Sequence, residues 1–398
     1  FISIGAFFML TNIFISNYSF VDDNGVELNL DRINIILGLS SIKAALFMAP
    51  CLLEGVMSNL NIRFTTPRLS FGSFEEIVYN GATSKPIVLY LRFRNFRKSL
   101  HESFFSLLFS ASPVAFDKYS DEFRNIEILD LYLEILGDRV ITLRLAINEH
   151  IMFIVSRQEV WSWKIEIDKK TIVEKSNNFP AVNFNRLLVG ILESIHYADI
   201  RSWFIERYQS LGTESMRSLV AKKLIDLFSD LESSQKLRDF LKSTGDIAIR
   251  LRYIPPSSLG VEYRLSNSWK KMNFFDLDFI SLLPTLATLF GANEEDTIVI
   301  LEPSIMAPKI QKALFQVSSR NALDEKKQII FLTNSPIIVR ELLNSSSEIR
   351  NHSKLLLAYY DHKVNIKELK FNSDGIKIED ENKFRQFWTD DLIRSFSL

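Results

Sequence analysis

Four short apolar runs that do not alternate with polar residues constrain this chain most: Ile33 to Leu37, broken only by Asn34, then Thr297 to Leu301, Gln328 to Thr333 and Leu355 to Tyr360. A strand with one wet face alternates apolar and polar residues, whereas a strand covered on both faces need not. Such runs therefore belong inside a parallel sheet flanked by helices. Helices follow them in the sequence. Pro308 and Pro336 stand where a first helical turn tolerates a missing N–H, and Ala44 to Met57 has helical composition, with a kink expected at Pro50. The expected core is a wound α/β sheet.

Elsewhere the period is two. Val26, Leu28 and Leu30 alternate after the turn Asp22-Asp23-Asn24-Gly25, and Ile87 to Phe96 and Ile126 to Val173 alternate repeatedly around a Gly137-Asp138 turn. These segments read as an antiparallel β-meander. Between Val182 and Lys242 the period becomes helical, with Leu187, Leu188, Ile191, Leu192 and Ile195 on one stripe and Leu219, Leu224, Ile225, Leu227 and Phe228 on another. Strands are expected again at Ile247 to Ile254 and Val261 to Leu265, before a helix ending near Gly291. The expected division is an N-terminal lobe over 1–180, a helical insert over 181–245 and a C-terminal lobe over 246–398, consistent in length with one large domain or two interleaved lobes.

Composition removes several classes of function. With 47 Lys or Arg against 48 Asp or Glu, the net charge of -1 excludes a strongly cationic nucleic-acid coat. An apolar share of 47% excludes a chain that is disordered throughout. The single Cys51 allows neither an internal disulfide nor a thiolate metal cluster, which fits a reducing cytoplasm. Thr11 and Asn12 interrupt the apolar opening Phe1 to Ile15, so no membrane anchor is expected there. The five histidines have no ligand spacing.

The loop after the first apolar run, Gly38-Leu39-Ser40-Ser41-Ile42-Lys43, occupies the place of a phosphate-cradling loop with altered content. Such a loop needs glycines so that backbone N–H groups point at phosphates, a Lys for the terminal phosphates and a hydroxyl for magnesium. Here the loop is one residue short, Ile42 replaces the second glycine, and Ala44 replaces the hydroxyl.

Further segments occur in a telling order. Ile13 to Phe20 leads to Asn34-Ile35-Ile36-Leu37-Gly38, then come Ser70 to Val78, Arg264-Leu265-Ser266-Asn267-Ser268-Trp269, Thr297 to Pro303, Met306-Ala307-Pro308 and Thr333-Asn334-Ser335-Pro336. Together they resemble the RecF-like and OLD-like branch of ATP-binding-cassette (ABC) ATPases, P-loop NTPases related to structural-maintenance-of-chromosomes (SMC) heads. The resemblance implies an ABC-type head with an antiparallel β subdomain and a helical insert, ATP with magnesium as cofactor, and work as a dimer. It places Gly38, Ser40, Ser41, Lys43 and the signature residue Ser266 around nucleotide, Glu302 as the water-activating base and Asn334 at the γ-phosphate-sensing position.

The departures from that pattern bear on the chemistry. Leu301 replaces the magnesium-binding acid, Asn334 replaces a histidine, and Ser268 replaces the second glycine of the signature. Each missing contact to a transferring phosphoryl group is typically worth about 2 to 4 kcal/mol, so hydrolysis should be very slow or absent. The expectation is a cytoplasmic, catalytically degenerate head acting as an assembly or structural subunit in DNA maintenance, repair or defence. It would work as a homodimer or beside an active ATPase paralogue.

Individual residues admit second readings. Lys43 is a phosphate ligand or, as is commoner for a lone Lys at a helix start, a solvated surface residue. Glu302 is a retained base or a hydrogen-bond acceptor at a helix start. An active ATPase using Lys43 and Glu302 in a non-standard loop is one alternative function. A nucleic-acid module is another: Arg92, Arg94 and Arg97 interleave with Phe93 and Phe96, either to meet a phosphate backbone or to form a solvated strand edge.

Overall fold

The four unalternating runs lie in one sheet. The computed structural model of the chain describes residues 9–57, 60–64, 72–94, 109, 127–149, 151–157, 161–167, 169–176, 181–198, 227–245, 248–254, 258–265, 268–271 and 277–397. In chain order come β1 (Met9–Ser16), β2 (Val26–Asn29), β3 (Ile33–Gly38), α1 (Ser40–Met48), β4 (Ile87–Arg94), β5 (Ile128–Leu136), β6 (Arg139–Ile147), β7 (Ile151–Arg157), β8 (Trp161–Ile167) and β9 (Lys170–Ser176). Next are α2 (Ala181–Glu193), β10 (Ile195–Ala198), α3 (Leu231–Gly245), β11 (Ala248–Ile254), β12 (Ser258–Leu265), β13 (Ser268–Lys271) and α4 (Leu277–Gly291). The chain continues with β14 (Thr297–Leu301), α5 (Pro308–Asp324), β15 (Gln328–Leu332), α6 (Pro336–Leu343), β16 (Ser353–Asp361), β17 (Lys363–Glu368) and α7 (Asp390–Phe396).

Contacts gather these elements into two interleaved units. Unit one is Phe1–Asp31, Ser41–Ile195 and Leu357–Lys367; unit two is Arg32–Ser40, His196–Leu356 and Glu368–Leu398.

Unit one carries the meander, an eight-stranded sheet of order β2-β1-β4-β5-β6-β7-β8-β9 with antiparallel neighbours throughout. Its alternation is visible in β4, where Ile87, Leu89, Leu91 and Phe93 are buried while Tyr90 and Arg92 are only half covered. The turn before β2 requires glycine: Gly25 has φ +76°, and an added Cβ would stand 2.3 Å from the Phe14 ring. As expected, the helix after β3 breaks at Pro50, running as α1, a 3₁₀ turn over Ala49–Cys51 and a short helix Leu52–Gly55.

Leu187, Leu188, Ile191 and Leu192 form the buried stripe of α2. The fifth residue of the expected stripe, Ile195, instead opens the strand β10. Ser194 closes the helix by bonding back to Ile191, and His196 is held through Nε2 by Asp296 at 2.8 Å, which draws the chain into extended form. Of the second expected stripe, Leu219, Leu224 and Ile225 lie outside the described residues, while Leu227 is buried.

Unit two carries β14, β15 and β3 of the sheet of order β10-β14-β15-β3-β16-β17. β14, β15 and β3 are parallel neighbours, and every residue along them is buried. Helix α4 packs on β14 and α5 on β15, with α3 and α6 against α5. Pro308 and Pro336 open α5 and α6 as their sequence positions predict. A charged latch closes the helical layer: Lys327, 2% exposed, donates to the Leu289 carbonyl at 2.9 Å and pairs with Glu325 at 2.6 Å, while Lys236 reaches Glu325 at 2.9 Å. β11, β12 and β13 form a separate three-stranded sheet. Among the described residues, no helix is long and apolar enough to cross a membrane.

Candidate functional site

In a parallel sheet the carboxyl ends of the strands point the same way, and the chain leaves them in loops that carry function. Leu301 of β14 lies beside Leu332 of β15, which lies beside Ile36 of β3, so these three strands end together. Beyond the ends the ladder is extended by Glu302 N–H to the Leu332 carbonyl at 2.8 Å and Thr333 N–H to the Ile36 carbonyl at 3.1 Å. Gly38, Ser40, Glu302 and Asn334 are thereby brought into one place.

Their polar groups bond to one another. Asn334 accepts from the Gly38 N–H through Oδ1 at 2.8 Å and donates to the Gly38 carbonyl through Nδ2 at 2.9 Å. Gly38 has φ +118°, a backbone region that side-chain-bearing residues rarely adopt, so glycine is required for this clasp. Glu302 accepts from the Ser40 hydroxyl at 2.7 Å and from the Ser304 hydroxyl at 3.3 Å. Its own backbone is left-handed, φ 45° and ψ 54°, immediately before Pro303. A residue other than Gly, Asn or Asp pays strain there, and the carboxylate is aimed by that turn.

A buried polar relay supports this surface from beneath. The Ser335 hydroxyl caps α6 by accepting from Ile337 N–H and Ile338 N–H, both at 3.2 Å, and donates to the Gln311 side-chain oxygen. Gln311 in turn donates to the Ser304 and Met306 carbonyls, at 3.2 and 2.5 Å. The turn bearing Glu302 and the helix that follows Asn334 are thus joined through one glutamine. From the C-terminal side, Trp388 donates its indole N–H to the Asn334 carbonyl at 2.9 Å.

Ser41 is exposed on α1. Lys43 is only 1% exposed, which corrects the reading of a solvated surface lysine. Ile42 is buried as well, so this turn faces inward. Ser266 and Asn267 lie outside the described residues. Their flanks pair as a hairpin, with Leu265 opposite Ser268 and Arg264 opposite Trp269, and Ser268 begins the strand β13. Backbone N–H groups gathered at a helix start are what bind anions, and a strand does not offer them. On this sheet the Arg250 guanidinium sits 4.1 Å from the Trp269 ring and Arg264 5.5 Å from it, while Arg250 also pairs with Glu262 at 2.7 Å.

Of the three candidate nucleic-acid residues, Arg92 is committed within the sheet. It meets Asp130 with two bonds of 2.6 and 2.8 Å, and Glu149 at 3.3 Å. The hydrogen bond to Asp130 raises the Arg92 pKa. Burial, followed by the bond it donates to the same Asp130, raises the Tyr90 phenol above its ordinary value. Arg94 is exposed at the end of β4, and Arg97 lies outside the described residues.

Two positions at which the resemblance expects magnesium ligands carry no side-chain donor. Ala44 and Leu301 offer no side-chain oxygen, and Leu301 is buried in the sheet. Among the described residues no group of three or more His, Cys, Asp or Glu could hold a metal ion. The Gly38 N–H and the Glu302 carboxylate, which nucleotide chemistry would call upon, already have partners in the chain.

The sheet with its clustered strand ends has the fold of an ABC-type ATPase head. No family model and no curated protein matches this chain. Among solved structures, an SMC head bound to the C-winged helix domain of ScpA aligns with a TM-score of 0.51 at 11% identity, covering 91% of this chain and 98% of that one. An SMC head domain with an extended coiled coil, bound to the C-terminal domain of ScpA derived from Pyrococcus furiosus, aligns at 0.45 and 9% identity over 91% of this chain and 96% of that one. The SMC head domain from Thermotoga maritima aligns at 0.41 and 9% identity over 91% and 99%. The first of these carries the fold assignment.

Proposed function

We propose that this chain is a catalytically degenerate ABC-type head of the RecF-like or OLD-like branch, acting as an assembly or structural subunit. The observation that carries the reading is the closed set of bonds at the strand ends: Gly38 with Asn334, and Glu302 with Ser40 and Ser304. A hydrolytic site keeps its base open to water and its backbone donors open to phosphate, whereas here both are bonded to neighbouring groups of the chain. The setting in DNA maintenance, repair or defence is drawn from fold analogy. An SMC head of similar fold has been seen with a winged-helix domain of ScpA, which makes a small accessory domain or a paralogous head the class of partner to seek.

Isothermal titration calorimetry with ATP and magnesium, run beside a phosphate-release assay, tests the reading. The expected result is no saturable heat, no release above buffer, and no difference between the wild type and Glu302→Gln. Saturable binding lost in Lys43→Ala, with turnover abolished in Glu302→Gln, would replace it with an active enzyme using a non-standard loop.

A further inference from the structure

The segment after β17 builds its own aromatic cluster and presses it on the residues around Asn334. Phe384, Phe387, Trp388 and Phe396 stack with ring centroids 5.2 to 5.7 Å apart. Phe384, Trp388 and Phe396 are buried, with Trp388 4% exposed. The segment is fixed at its far end, where Ile376 N–H donates to the Phe396 carbonyl at 2.7 Å and Ile376 bridges Ser397.

This cluster touches the site side of unit two at two points. Trp388 donates to the Asn334 carbonyl at 2.9 Å, and the Phe396 ring lies 5.9 Å beneath the Arg340 guanidinium on α6, the helix that starts just past Asn334. An indole N–H has no other role than donation, and burying it demands an acceptor; the Asn334 carbonyl supplies one. Fixing that carbonyl fixes the peptide plane from which the Asn334 side chain springs. Both arms of that side chain are spent on Gly38.

We propose that residues 381–397 form an intramolecular strap, with Trp388 as its pin, that holds Asn334 on Gly38 and so keeps the Gly38 N–H from any other acceptor. The proposal rests on the reading of the strand ends as a site, but not on whether that site is active. Trp388 is a positioning residue: it acts on Gly38 only through Asn334. Loosening the strap frees the clasp, while the interior of the sheet stays as it is.

Hydrogen exchange on the full chain tests this, comparing the amides of residues 33–40 with those of β14. Trp388→Phe keeps a smaller aromatic ring in the cluster and removes the donor. Exchange at Gly38 is expected to rise about tenfold, in keeping with the loss of one buried hydrogen bond, with β14 unchanged within about twofold. Asn334→Ala should produce the same rise, and adding Trp388→Phe to it should produce no more. Unchanged exchange at Gly38 in Trp388→Phe overturns the strap. So does an equal rise across β14, which marks general loosening, or an additive rise in the double variant. Because the readout needs no nucleotide, its failure is separate from failure of the proposed function, which turns on ATP binding and turnover in the wild type.

Discussion

Along β3, β14 and β15 the chain is buried residue by residue, and the pattern is what a two-faced strand demands. At or within two residues of the strand ends, it carries polar groups that answer to one another: Gly38 to Asn334 and Glu302 to Ser40. The two regions are covalently continuous yet obey different rules. In the interior, shape and apolar volume decide what is tolerated, and many side chains share the task. At the ends, a few directed bonds decide, and a substitution there can end a chemistry while the scaffold beneath keeps its form. The fold can therefore be the same in chains whose strand ends carry different side chains.

The contrast can be broken experimentally, beginning inside the sheet. Phe331, fully buried in β15 with its ring 5.8 Å from Phe315, should cost about 3 to 5 kcal/mol when replaced by Ala, read from urea unfolding. A smaller loss would mean that the interior is less tightly packed than its burial implies.

Next in size is the latch around Glu325. Glu325→Ala leaves the buried Lys327 ammonium with the Leu289 carbonyl alone and should cost about 3 kcal/mol. The latch also predicts a pH dependence. Burial by itself would raise the Glu325 carboxyl, but hydrogen bonds from Lys236 and Lys327 outweigh it and hold the carboxyl below its ordinary value. A group with a depressed folded pKa stabilises above its unfolded value, here about pH 4.3, and that contribution disappears as pH falls through the lower folded value. Urea midpoints measured downward from pH 5 should therefore fall more steeply in the wild type than in Glu325→Gln.

The smallest effect is expected at the strand ends. Glu302→Gln preserves size and keeps one acceptor oxygen for Ser40, so stability should change by about 0.5 kcal/mol or less. A larger shift would show that the carboxylate is part of the scaffold as much as the interior is.

What could be read from the residues divides along similar lines. The inner strands were legible because unalternating apolar runs have few other uses, and the meander because period two persists over several strands. Ile195 was misplaced since it continues a helical stripe, and a four-residue strand is too short to display a period of its own. The burial of Lys43 is a tertiary outcome that no local pattern encodes. Glu302 and Asn334 stood out as motif positions, yet their mutual ties with Ser40 and Gly38 required the strand register. Gln311 gave no sign at all, being one polar residue in a helix whose partners are main-chain carbonyls. Trp388 gave no sign either, since its partner is a main-chain carbonyl far away in the sequence. For the stretch at 264–269, Tyr263 and Trp269 favour extended backbone, in keeping with the paired strands on its flanks, while Ser266 itself lies outside the described residues.

The Asn334 clasp bears on any attempt to add phosphate or metal ligands to this loop. Restoring oxygen donors through Ala44→Thr and Leu301→Asp would return the missing ligands on paper, yet an aspartate at 301 would enter a dry, apolar layer, and the first amide of the loop would still be spoken for. Supplying both donors would therefore leave the Gly38 N–H engaged unless Asn334 were changed as well.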